Sequence, residues 1–206
     1  MELNNTFYHL PSERAFENWR ETVPSGFVFA IKASRLITHF HKLVNVEKML
    51  HNFLARARLL GPKLGPVLFQ LPPGLVRDNR RLEGFLGILP KGDRYVFEFR
   101  ESSWFAKPVF DLLEKYGVGF CVSDLPTALS PVVATTDYAY FRFHGSHGDY
   151  SGSYSDEALN AWANKIRDLP SSVKIVYAYF NNDVDAAAIR DARRLRQRLQ
   201  DRDPKP

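Results

Sequence analysis

The strongest constraint in this 206-residue chain is its alternation of short, continuously apolar runs with longer helical patterns. The runs are FVFAIK (Phe27 to Lys32), PVLFQL (Pro66 to Leu71), RYVFEFR (Arg94 to Arg100), GFCVSD (Gly119 to Asp124), YAYFRFHG (Tyr138 to Gly145) and KIVYAYF (Lys174 to Phe180). A strand with one wet face alternates polar and apolar residues. Runs apolar at both parities are those of parallel strands covered on both faces. The opening MELNN reads as the end of a seventh strand.

Helical patterns separate most of these runs. Ser12 is placed to cap a helix opening at Glu13, and Val46 to Leu60 is amphipathic and stops at Gly61-Pro62. Asp78 to Leu89 ends before Pro90, and Lys107 to Tyr116 has Gly117 just past its end. Ser155 caps a helix closed by Pro170, Asp185 to Gln200 is the last helix, and Leu125 to Asp137 shows no helical period. Parallel strands joined by helices predict an α/β fold. The expected architecture is a TIM (β/α)8-type barrel, of which seven strands are counted here with the opening MELNN. It is expected as one domain over residues 1–200, followed by a polar tail at 201–206.

Several function classes fall away. Neither the dinucleotide nor the P-loop glycine pattern occurs. One cysteine, Cys121, rules out an internal disulfide and a Cys-rich zinc site, and its apolar strand setting predicts an inert core thiol. No signal-peptide pattern and no membrane-length apolar run is present, so a cytoplasmic protein without membrane contact is expected. The net charge of +5 is local. Arg190 to Pro206 carries seven basic and three acidic residues, supplying +4 of it. A solvated outer helix is the expected reading, and a nucleic-acid partner has only this slight support.

The chemistry-bearing residues gather where strands stop being apolar. Glu2 and Asn4 follow the first run, Lys32 ends the second and Gln70 nearly ends the third. Glu98 and Arg100 end the fourth, Asp124 the fifth, Arg142 and His144 the sixth, and Asn181 and Asn182 follow the seventh. In a parallel barrel those ends form the catalytic face. Period two puts Glu98 with Arg100, and Arg142 with His144, on one side of the sheet. Buried charge is costly unless paired, so such a set points to function, or else to ion pairs that close the barrel.

Glu98, Asp124 and His144 are the candidate acid–base residues. The candidate binding residues are Glu2, Asn4, Lys32, His39, Gln70, Arg100, Trp104, Arg142, Asn181 and Asn182. His39, His41, His144 and His147 with nearby carboxylates allow a divalent metal. However, no His-x-x-x-His spacing occurs, and the surrounding cations favour an anionic ligand instead. Trp104 either covers a ligand or staples its loop, Trp19 and Trp162 read as packing, and HGSHGDYSGSY (His144 to Tyr154) reads as a loop over the site.

Taken together, ELNNTFY, FAIKASRLITH, LGPVLFQLPP, FEFRESSW, VSDLP, YFRFHG and YAYFNND resemble the YecE-like family, domain of unknown function 72, over Glu2 to about Leu195. The resemblance implies a TIM barrel and shared polar positions, but not a reaction. Family members begin with an additional strand and helix, so Met1 falls where the valine of their second strand stands. The expected activity is an enzyme, a hydrolase or isomerase, acting on a small anionic or phosphate-bearing molecule. A metal-dependent phosphodiesterase on nucleic acid and a non-catalytic binding protein are the alternatives. Seven units leave sheet edges open, so a homodimer is expected.

Overall fold

The computed structural model describes residues 1–147 and 150–201. Gly148 and Asp149 of the expected site loop, and residues 202–206 of the expected tail with Arg202 and Lys205, lie outside the described residues. The chain forms two compact units, residues 1–119 and residues 120 onward.

The first unit carries β1 (Glu2–Leu3), α1 (Glu13–Thr22), β2 (Phe29–Lys32), α2 (Glu47–Ala57), β3 (Leu64–Gln70), α3 (Asn79–Gly87), β4 (Tyr95–Glu98) and α4 (Lys107–Tyr116). β1 to β4 pair in chain order and all in parallel, with Glu2 opposite Ala30, Ile31 opposite Val67, and Gln70 opposite Glu98. Local chemistry sets the boundaries. Ser12 accepts from Ala15 N at the start of α1, and Asp78 accepts from Arg81 N at the start of α3. Gly117 ends α4 at φ +66°, a left-handed turn that favours glycine.

Packing fixes which face each strand shows to the helices. Phe69 of β3 and Phe97 of β4 stack at 5.4 Å, and both meet Phe85 of α3, at 5.1 and 5.8 Å. All three are buried, which stabilises the unit by roughly 1.5–3 kcal/mol per ring. Odd positions of these strands therefore face the helices, and Gln70 and Glu98 face the other way.

β5 (Gly119–Ser123) opens the second unit from its second residue on, followed by β6 (Tyr138–Phe143), α5 (Asp156–Arg167), β7 (Ile175–Phe180) and α6 (Ala187–Gln200). β5, β6 and β7 are parallel neighbours, with Arg142 opposite Ser123 on one side and Tyr179 on the other. Phe141 and Phe143 meet Trp162 of α5 at 6.2 and 5.2 Å, so Tyr140 and Arg142 lie on the face away from that helix. Cys121 is buried in β5. β7 is less covered than β6; Ile175 and Val176 are each 38% exposed. Among the described residues no helix is long and apolar enough to cross a membrane.

Candidate functional site

In the first unit, the segments leaving β1, β2, β3 and β4 assemble a cation-rich cluster. Glu98, fully buried at the end of β4, pairs with Arg100 Nε at 2.5 Å. Arg100 also donates to Gln70 Oε1 at 3.5 Å. Lys32, at the end of β2, sets its ammonium 4.2 Å from the centre of the Phe7 ring. The His39 ring meets Phe7 edge-on at 4.9 Å, and its Nδ1 lies 2.9 Å from Thr38 Oγ1. Burial first, then the charges of Lys32 and Arg100, hold the His39 imidazole below its ordinary pKa. Lys32 and Arg100 therefore both lie within electrostatic reach of His39.

Backbone ties explain how the loops get there. Thr6, fully buried, donates its hydroxyl to Lys32 O at 2.7 Å and so pins the segment after β1 against the end of β2. After β2 the chain makes one π-type turn over Leu36–Phe40, closed by His41 N donating to Leu36 O at 3.0 Å. Such single π turns recur at functional sites. Glu2 and Asn4 are half-buried, Glu2 within β1 and Asn4 at the head of the short turn Asn5–Phe7. Trp104 is fully buried, stacks on Phe99 at 4.7 Å and donates its indole N–H to Leu75 O at 2.6 Å. Those contacts staple the loop after β4.

In the second unit, Asp124, His144 and Tyr154 form a hydrogen-bonded set at the ends of β5 and β6. Asp124 Oδ1 accepts from His144 N at 2.8 Å and lies 3.0 Å from His144 Nδ1. Asp124 Oδ2 accepts from the Tyr154 hydroxyl, and Tyr154 Oη accepts from Gly145 N at 2.8 Å. Burial first, then the charge and hydrogen bond of Asp124, push the Tyr154 phenol well above its ordinary pKa, against the pull of the Gly145 and His144 backbone. It is therefore a fixed neutral donor. His144 is buried, with Tyr150 edge-on at 5.3 Å. Gly145 turns the chain at φ +94°, where a Cβ would lie 2.0 Å from Ser151 O; no larger residue fits. Arg142, 3% exposed, is two residues before His144.

A second buried carboxylate supports this set. Asp191 of α6 accepts from Ser153 Oγ at 2.7 Å, Asn182 Nδ2 at 2.9 Å, Arg194 at 2.9 Å and Tyr154 N at 3.1 Å. Asn182 also donates to Gly152 O at 2.9 Å. Its amide thus ties the loop of residues 150–154 to the last helix. Asn181 is half-buried and donates its backbone N–H to Phe143 O at 2.8 Å.

Sequence reading paired Glu98 with Arg100, and Arg142 with His144, and gave Asp124 and His144 as separate acid–base candidates; their contact is a finding of the structure. It missed Thr6, Tyr154 and Asp191, whose partners lie 26, 30 and 38 residues away. The available signal was slight: an aspartate interrupting the arginine-rich last helix at a position that turns inward. Among the described residues no three His, Cys, Asp or Glu side chains converge as a metal site would require.

Comparison with known proteins gives the family context. The family model described as "Protein of unknown function DUF72" matches residues 1–206. UPF0759 protein YecE of Escherichia coli K12 is 33% identical over 108 residues, which are 52% of this chain and 40% of that protein. The matched stretch thus spans less than half of that relative. UPF0759 protein YunF of Bacillus subtilis is 25% identical, with 97% of this chain and 82% of that protein covered. Among solved structures, a DUF72 family protein of Thermotoga maritima aligns with TM-score 0.85 and 29% identity, over 97% of this chain and 84% of its own. One from Enterococcus faecalis aligns with TM-score 0.85 at 19% identity, over 100% and 87%, a likeness of fold. The fold is the TIM-type α/β barrel with seven β/α units.

Proposed function

We propose an acid–base function for this chain, which belongs to the DUF72 family of proteins of unknown function, acting on a small anionic molecule. The observation that carries the reading is the Asp124–His144 contact. Asp124 holds Nδ1 of the ring, which sets the tautomer and directs proton exchange to Nε2. Tyr154 and the His144 backbone N–H hold the carboxylate itself, so Asp124 positions and His144 exchanges the proton. Arrangements of this kind contribute roughly 10²–10⁴-fold to a rate.

The anionic class of the ligand is supported by the first unit taken by itself, where Lys32 and Arg100 bring positive charge to bear on His39 and Arg100 pairs with the buried Glu98. Glu98 and Gln70 fix the Arg100 guanidinium, the kind of group that pairs best with phosphate and carboxylate oxygens. Hydrolysis and isomerisation are reactions that the His–Asp pair can serve.

The test is turnover of a panel of sugar phosphates and phosphomonoesters. Phosphate release reports hydrolysis, and proton NMR reports isomerisation. His144→Gln and Asp124→Asn should each lower a detected rate by at least about 100-fold. A rate unchanged in both variants would sink the assignment.

A further inference from the structure

We propose that the loops after β1 and β2 form a stacking platform for the planar base of a nucleoside phosphate; this rests on the anion reading of the neighbouring cluster. Tyr8 is 64% exposed and Phe40 is 65% exposed. The Arg35 guanidinium sits between them, its central carbon 5.7 Å from the Tyr8 ring centre and 5.6 Å from that of Phe40. Leu36, half exposed, continues the patch. Tyr8 stands edge-on against Phe7 at 5.1 Å, and Phe7 is the ring that carries Lys32 and His39. The exposed rings therefore adjoin the cationic cluster through one shared side chain.

The physics favours a ligand that is both flat and anionic. Aromatic rings left mostly in water forgo the burial that normally stabilises them. Here they occupy loops that follow parallel strands, where barrels of this class carry their binding residues. The backbone holds the second loop in an unusual course, with Lys42, Leu43 and Asn45 all left-handed at φ +49°, +70° and +53°. Non-glycine residues persist there only when their surroundings fix them, and such positions gather at binding sites. A purely apolar partner has no use for a guanidinium between two rings. A base does, because it can stack on either ring and on Arg35, while its phosphate reaches toward Lys32 and Arg100.

The same chemistry is offered by a free nucleotide and by one unit of a single strand. The test compares equilibrium binding of AMP, ribose 5-phosphate, adenosine and a short oligoadenylate to the full chain. AMP should bind at least about tenfold tighter than ribose 5-phosphate, the margin that stacking one base supplies. Tyr8→Ala and Phe40→Ala should erase that margin and leave ribose 5-phosphate binding unaltered, and Tyr8→Phe should keep it.

Oligoadenylate binding tighter than AMP assigns the platform to a strand; equal or weaker binding assigns it to a free nucleotide. Ribose 5-phosphate binding as tightly as AMP overturns the platform and leaves the anion reading standing. Adenosine binding that Tyr8→Ala abolishes, without binding of ribose 5-phosphate, keeps the platform and overturns the anion reading. No binding by any of the four ends both.

Discussion

Replacing Asp191 by alanine should unfold the support beneath the Asp124–His144 pair without touching either residue. The carboxylate is fully buried and accepts four hydrogen bonds. Their losses are unequal. Ser153 is exposed and can turn to water, and Arg194 is only partly buried and keeps Asp156 and Tyr154 O. Asn182 keeps Gly152 O but leaves one amide proton inside, and Tyr154 N loses an acceptor in a buried setting. Each stranded buried donor costs about 1–3 kcal/mol. Two of them give a loss of about 3 kcal/mol, a large share of the roughly 5–15 kcal/mol available to a folded domain. In urea, where the slope is roughly 1–3 kcal/mol per molar, the midpoint should fall by about 1.5 M.

The pH-dependence of that loss is also fixed. Burial alone would raise the Asp191 pKa, but the bonds from Ser153, Tyr154 N, Asn182 and Arg194 outweigh it and hold the value below 3.8. A depressed carboxyl contributes stability above its unfolded pKa and loses it as pH falls through the folded one. The gap between the natural chain and Asp191→Ala should therefore be full at neutral pH and narrow below 3.8. A midpoint shift under about 0.5 M at neutral pH, or a gap that grows in acid, would refute the reasoning.

Two further outcomes follow from displaced pKa values. The phenols of Tyr154 and Tyr95 are raised, chiefly by burial and then by Asp124 and Asp93, so their contribution is intact below pH 10 and lost as pH rises beyond it. Thermal unfolding should show a steep alkaline decline that is shallower in Tyr154→Phe. His39 is depressed by burial, Lys32 and Arg100, so a bound anion relieves the repulsion and draws a proton onto the ring. Sulfate, whose charge is fixed over this range, should bind more tightly as pH falls below 6.5, and His39→Ala should flatten that dependence. Sulfate binding that does not change with pH in the natural chain would remove His39 from the anion site.

The order of strands and helices is legible in the residues alone, because strand and helix periods are local. The caps at Ser12, Asp78 and Ser155 and the stop at Gly117 are also local chemistry, each bond spanning three or four residues. Glu98 and Arg100 likewise pair across only a two-residue gap. Local rules misplace edges instead. The run Phe27 to Lys32 begins pairing only at Phe29, and the strand expected to reach Arg100 ends at Glu98. Pairing depends on a neighbour's length, which a strand's own residues do not encode.

Tertiary structure alone decided what surrounds each polar group. Asn182 looks like a ligand-facing residue at the end of a strand, yet its amide is engaged by Gly152 and Asp191. Tyr154 looks like part of a flexible loop, yet it closes on a carboxylate 30 residues before it. Those partners are set by how the loops fold back over the strand ends, where loop closure costs little more entropy for 30 residues than for 15. Spacing in sequence therefore carries no record of them, and only the buried acceptors and donors that must be matched select which loop residue arrives.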